Sequence, residues 1–310
     1  MEAIKSFDQL RTQLKNSGER VRVAVVWAHD GHTPEAVRRA VSDGFATAIF
    51  VGHREETLAA VNLTAEMEHL SFVNADSPEE ASAAAVALVR EGKADVIMKG
   101  LVNTDVLLRA VLNKQTGILP YLDEEKTKRA VLTHIAVVDI PRLKRLLFIT
   151  DAAVIPNPTV EQRAAQIRYA SHLCHCFGIE QPRIAMLHCT EKTSEKFPIT
   201  LDYAALKERA EAGEFGDILL DGPLDLLCSL SPEGLADKHL ESKLEGKADV
   251  LMFSDIEMGN GVYKSFTLFA DALIAGMLFG PQCPVVLTSR GDSIDAKFCS
   301  LCAAIAVSKR

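Results

Sequence analysis

Short apolar runs alternate with amphipathic stretches along almost the whole chain. The runs Val21 to Val26, Thr47 to Val51, Val96 to Met98, Leu146 to Ile149, Arg183 to Leu187, Ile218 to Leu220, Val250 to Phe253 and Val285 to Leu287 read as strands: a few consecutive aliphatic residues closed by polar ones. Between them Thr33 to Ser42, Ser77 to Glu91, Val160 to Phe177 and Tyr203 to Ala212 follow the helical period. Strands alternating with helices predict an α/β fold with mainly parallel sheets covered by helices on both faces.

One segment is nearly repeated. Glu91-Gly92-Lys93-Ala94-Asp95-Val96-Ile97-Met98 and Glu245-Gly246-Lys247-Ala248-Asp249-Val250-Leu251-Met252 differ at a single position, Ile against Leu. Each closes a helix with glycine, turns, and opens a strand. The period is too long for a solenoid. Two αβα domains with a cleft between them would bring the loops that follow these strands together. The polar stretch Pro120 to Lys128 precedes a strand-like Leu132 to Val138, and Gly280-Pro281 precedes the last strand. The expected division is therefore 1–136 together with 279–310 as the first domain and 137–278 as the second.

Composition narrows the classes. A chain of 310 residues, 48% hydrophobic, buries a large aliphatic core and has room for two domains. A net charge of −8 without any basic block argues against nucleic acid. The longest apolar stretch, Ala270 to Leu287, is broken by Asp271, glycines and prolines, so no membrane span is expected. Met1 to Arg22 is charged and helix-forming, unlike a signal peptide. Seven cysteines without framework spacing read as reduced thiols in a cytoplasmic protein. Cys299 and Cys302 form a single pair, a weak signal for metal. His172, Cys174, His175 and Cys176 on one helix point in different directions. No metal site is expected.

Candidate chemistry gathers where strands end. Val285 to Leu287 runs into Thr288-Ser289-Arg290-Gly291-Asp292-Ser293 and then a helix, the place where open α/β sheets bind ligands. A helix N-terminus and a guanidinium fork there favour an anion. Serine before a helix is also a common cap, and Arg290 is equally able to serve as a surface ion-pair partner. Lys99, Asn103, Thr104 and Arg109 follow another strand, and Asp151 follows Leu146 to Thr150. A second polar turn is expected over Glu257 to Lys264, with Asn260 and Lys264 extending the same field. His29-Asp30 reads equally as a site edge or a helix cap. Phosphate-binding glycine fingerprints, a Gly-x-Ser-x-Gly elbow and a His-Glu-x-x-His helix are all missing.

The ordered set Ala28-His29-Asp30, Met98-Lys99-Gly100, Leu132-Thr133-His134, Ile149 to Val154, Asp221-Gly222-Pro223-Leu224, Met258-Gly259-Asn260 with Tyr263-Lys264, and Leu287 to Ser293 resembles the phosphotransacetylase/phosphotransbutyrylase family. It extends from Val21 to Val307 and looks closer to the butyryl branch. The resemblance implies two αβα domains similar to isocitrate and isopropylmalate dehydrogenases, an active site in the cleft, and a homodimer. It implies acyl-CoA plus phosphate giving acyl phosphate plus CoA, with CoA as substrate and no cofactor. Ser289 is then the donor to the tetrahedral intermediate, and Arg290 and Arg109 bind phosphate and oxyanion. Lys99, Asn103, Thr104, Asp151, Asn260 and Lys264 complete the substrate-binding set. Where acetyl-transferring members carry the carboxylate that deprotonates the thiol, this chain has Ala296. Asp295 is the expected substitute, with Asp292, or ionisation of the thiol through local positive charge alone, as the other choices.

Three other readings use the same residues. The acetyl rather than the butyryl activity is one. A metal- and NAD(P)-dependent decarboxylating dehydrogenase needs aligned aspartates, and Gly222-Pro223 interrupts Asp217, Asp221 and Asp225. A non-catalytic acyl-CoA-binding module would not need the Ser289-Arg290 pair.

Overall fold

The first apolar run seeds a sheet in the computed structural model, which describes residues 2–289 and 291–308. After helix α1 (Phe7–Asn16) come β1 (Val21–Val26), α2 (Thr33–Ser42), β2 (Ala46–Val51), α3 (Arg54–Ala60), β3 (Leu70–Val73), α4 (Pro78–Arg90), β4 (Val96–Lys99) and α5 (Thr104–Leu112). A second series follows: β5 (Thr133–Asp139), β6 (Leu146–Thr150), α6 (Val160–Cys176), β7 (Arg183–Leu187), α7 (Ile199–Glu211), β8 (Leu219–Leu224), α8 (Leu226–Leu230), α9 (Pro232–Asp237), β9 (Val250–Met252) and α10 (Ile256–Phe269). The chain closes with β10 (Leu273–Phe279), β11 (Val285–Val286) and α11 (Ile294–Ser308).

Two units result. The first comprises Phe7–Leu132 and Leu273–Arg310, the second Met1–Ser6 and Thr133–Ala272. These borders differ by a few residues from 136/137 and 278/279, because each falls at the start of a strand and keeps β5 and β10 whole. The first six residues were expected in the first unit. They join the second, where the Ile4 N–H donates to the Phe177 carbonyl at 2.9 Å.

In the first unit the strand order is β3-β2-β1-β4-β11-β10, parallel except for the antiparallel β10–β11 pair. In the second it is β5-β6-β9-β7-β8, with β5–β6 the antiparallel pair. The near-repeat is one junction used once in each unit. Asp95 accepts the Arg22 N–H where β1 starts, and Asp249 accepts the Arg183 N–H where β7 starts, at 3.0 and 2.9 Å. Gly92 and Gly246 both have positive φ, +67° and +66°, the left-handed turn that glycine adopts without strain. Each aspartate thus ties its own strand to the parallel neighbour and fixes their stagger.

Helix α11 is an interior element. From Lys297 to Val307 nearly every residue is buried, and it packs on β10 and α2. Each fully buried Leu, Ile or Val there is worth about 1.5–3 kcal/mol. Two strands were not predicted: β3, a half-exposed edge, and β10, hidden within the long apolar stretch. Among the described residues no helix is long and apolar enough to cross a membrane.

Candidate active site

Register places three loops of the first unit at one sheet edge. Val26 of β1 pairs with Lys99 of β4, and Met98 pairs with Val286 of β11. The segments that follow, from Trp27, Gly100 and Leu287, therefore leave neighbouring strands on the same side, the C-terminal edge of the parallel sheet. Gly100 makes this possible: a Cβ there would lie 2.7 Å from the carbonyl oxygens of both Val26 and Trp27. Lys99 is buried and donates to the Gly100 carbonyl at 3.1 Å. Asn103 precedes α5, and Thr104 opens it. Arg109, further along α5, is exposed, pairs with Asp105, and lines a 420 Å³ groove between α4 and α5.

The turn after β11 is closed on itself. The Ser289 N–H donates to Asp292 Oδ2 at 2.7 Å, and its carbonyl accepts the Asp292 N–H at 3.2 Å. Lys297 reaches back from α11 to the Ser289 carbonyl at 3.1 Å and to Thr288 Oγ1 at 3.2 Å. The cap of α11 is Ser293, whose Oγ accepts the Ala296 N–H at 3.1 Å. Ser289 is therefore not the cap that its position suggested. Both its main-chain groups are engaged, its residue is exposed, and among the described residues its hydroxyl has no partner. Arg290 lies outside the described residues. Asp295 is exposed on the first turn of α11 and pairs with Arg39 of α2 at 2.7 Å.

The neighbouring loop from β1 supports this turn. Asp30 Oδ1 accepts the N–H groups of His32 and Thr33 at 2.9 and 2.6 Å, so it is the helix cap, and His32 Nδ1 lies 3.3 Å from the Asp292 carbonyl. Sequence reasoning missed Lys297. Its signal is a lone charge in an otherwise apolar helix: it is 2% exposed, and burial lowers its proton affinity against the opposing pull of Asp30 and Asp292.

In the second unit the expected polar turn over Glu257 to Lys264 is instead the first half of α10, capped by Asp255, which accepts the Met258 N–H at 2.8 Å. Gly259 is needed for packing, since a Cβ would lie 2.2 Å from the Asp151 carbonyl oxygen. The close approach lets Asn260 Nδ2 reach the Ala152 carbonyl at 3.3 Å. Lys264 is exposed, its ammonium over the Tyr263 ring. Asp151 is 2% exposed and fully used: Oδ2 accepts from Thr133 Oγ1 and the N–H groups of His134 and Ile155, and Oδ1 accepts from the N–H groups of Ala153 and Val154. Its oxygens organise the loop rather than face a ligand. His134 is buried beside it, and burial keeps the imidazole below its ordinary pKa despite the pull of Asp151.

Glu191, Asp225 and Cys228 bring ligand atoms within 4.8 Å of one another. Lys238 lies 2.5 and 2.6 Å from the two carboxylates, so an ammonium already satisfies them. Burial pushes the Cys283 thiol up to about 12 and Cys302 well above its usual value. Neither is poised as a thiolate nucleophile.

A family model described as phosphate acetyl/butaryl transferase matches residues 77–307. Phosphate butyryltransferase of Clostridium acetobutylicum is 37% identical over 305 residues, which is 98% of each chain. Phosphate acetyltransferase of Thermotoga maritima is 32% identical over 285 residues, 92% of this chain and 94% of that one. A solved structure, a branched-chain phosphotransacylase from Enterococcus faecalis, superposes with a TM-score of 0.76 at 28% identity, over 93% of this chain and 99% of that one. The matched span takes in both copies of the strand-pinning junction and the Ser289 turn. By sequence along nearly its full length and by fold, the chain belongs to the phosphate acetyl/butyryl transferase family.

Proposed function

We propose that the protein transfers a short-chain acyl group between CoA and inorganic phosphate, with butyryl-CoA as the preferred acyl donor and acetyl-CoA as the alternative. The observation that carries this reading is the Ser289 turn. Its backbone is locked, capping is delegated to Ser293, and a hydroxyl unpaired among the described residues stands at the sheet edge, a place from which it can donate to an acyl oxyanion. A phosphate oxygen adds to the thioester carbonyl, Ser289 donates to the oxyanion, and collapse expels the CoA thiolate to leave acyl phosphate. Arg290, with Arg109, Lys99, Asn103 and Thr104 of the first unit, supplies charge and hydrogen bonds to the phosphate and CoA; Asn260 and Lys264 are the substrate-binding candidates of the second unit. In the reverse direction the thiol must lose its proton. Asp295, exposed on the first turn of α11 beside Arg39, is the carboxylate assigned to that step, with Asp292 as the other choice.

Direct transfer asks for no cofactor, and the buried thiols fit a route without an acyl-enzyme. Release of free CoA from acetyl-, propionyl-, butyryl-, isobutyryl- and valeryl-CoA is expected to require phosphate, to peak at a four-carbon chain, and to give intersecting double-reciprocal lines. CoA release indifferent to phosphate would remove this reading, and parallel lines would remove the direct route.

Both units are read as αβα layers of the isocitrate and isopropylmalate dehydrogenase kind, in a cytoplasmic homodimer. Support for the dimer comes from α10, whose only buried residue is Gly259 and whose end leaves Leu268 71% and Phe269 81% exposed. Sedimentation should report a dimer that Phe269→Glu weakens; a monomer at micromolar concentration would reject it.

A further inference from the structure

Lys297 stands out as the buried charge of α11 that no capping or packing need explains. An ammonium 2% exposed loses most of its hydration, a cost that stable structures offset with oriented partners. Its partners are specific. The ammonium donates to the Ser289 carbonyl and the Thr288 hydroxyl, the two residues that connect β11 to the turn. Countercharge comes from two sides: Asp292 in its own loop, and Asp30 at the start of α2, whose Oδ2 is buried with no hydrogen-bond partner among the described residues.

We infer that Lys297 is the positioning residue of the transferase turn: its ammonium fixes the Ser289 carbonyl and the Thr288 hydroxyl, and thereby aims the Ser289 hydroxyl at the reacting carbonyl. The inference rests on the acyl-transfer reading for its catalytic consequence, while the placement of the turn is independent of it. Without Lys297 the Ser289 carbonyl keeps, among the described residues, only the 3.2 Å bond from the Asp292 N–H. With the Thr288 hydroxyl and the Ser289 carbonyl both released, the backbone that carries the Ser289 side chain loses its anchor to α11, and the hydroxyl moves with it. A displacement of about 1 Å at a catalytic donor costs up to about a hundredfold in rate. Substrate binding through other groups is untouched, so the loss falls on kcat.

The test is Lys297→Met, which keeps the length and volume of the side chain and removes the charge. It is assayed with butyryl-CoA and phosphate, alone and in a Ser289→Ala background. The expected result is a ten- to hundredfold fall in kcat with KM for acyl-CoA within about twofold. In the Ser289→Ala background the same change should add almost nothing, because Lys297 acts through the hydroxyl already removed. Equal losses in both backgrounds, or unchanged kcat in the single variant, would overturn the inference. Should Lys297→Met fail to fold, Lys297→Leu, which likewise removes the donor and the charge, gives the same comparison. A crystal structure of either variant supplies an arm independent of activity: the 288–292 turn should shift by about 1 Å or more, and an unmoved turn overturns the assignment. If the unsubstituted protein shows no phosphate-dependent CoA release, the functional reading falls, and the structural arm alone decides whether Lys297 sets the turn.

Discussion

Replacing Ser289 by alanine is expected to lower kcat by about a hundredfold or more while leaving KM for acyl-CoA nearly unchanged. The ground-state carbonyl oxygen carries little charge and asks little of a hydroxyl donor. Full negative charge appears only in the tetrahedral intermediate. A donor that acts there alone changes turnover and not affinity. The cost of the substitution to the fold is small, because the hydroxyl holds nothing among the described residues and capping of α11 belongs to Ser293. Arg290 provides the contrast. On the proposed reading its charge meets phosphate before and during reaction, so Arg290→Ala should damage kcat and phosphate affinity together, and Arg290→Lys should restore only part, an ammonium lacking the planar fork. Steady-state kinetics on folded variants reads both. Wild-type turnover in both alanine variants would place the transfer site elsewhere.

Asp151→Ala is expected to act on stability before it acts on activity. The carboxylate takes five hydrogen bonds, four of them from backbone N–H groups, in a site 2% exposed. Removing it strands those donors, each costing about 1–3 kcal/mol where water cannot reach, so a loss of about 4 kcal/mol from the second unit is expected after local relaxation. Asp151→Asn keeps one acceptor oxygen and turns an NH₂ toward existing donors, and should lose about half as much. Urea denaturation followed by far-UV circular dichroism measures this. A normally stable Asp151→Ala protein with collapsed activity would instead make Asp151 a ligand-facing group.

The sequence was most legible where one physical signal acted alone. β1, α2 and β7 begin and end at the predicted residues, because apolar periodicity and flanking turn residues agree there. It misled where tertiary contact reversed a local preference. Glu257 to Lys264 read as a polar turn, yet the backbone is helical, and Gly259 there lets α10 approach the Asp151 carbonyl. β10 was overlooked although Asp271 and Gly280-Pro281 bound it, because the apolar stretch Ala270 to Leu287 reads as one unit when weighed for a membrane span. Of the candidate site, the strand, polar loop and helix around Ser289 could be read from the sequence in succession. Lys297 could not be weighed, since a lysine on a helix is ordinarily solvated and only the depth of α11 makes it unusual. The burial of Asp151 was equally invisible, because its partners lie on either side of a strand end whose fold-back no local pattern records.

The interrupted course of the first unit sets the order in which the protein can be made. Ile97 of β4 finds its partner Val285 only after all of Thr133–Ala272 has been synthesised. A chain emerging from the ribosome can therefore complete the second unit while the first still lacks β10, β11 and α11. Throughout that interval the wholly apolar Val96-Ile97-Met98 presents an open strand edge, the kind of surface that recruits other chains. The nascent protein is most exposed to aggregation, and to the help of chaperones, in the stretch of translation just before its Ser289 turn exists.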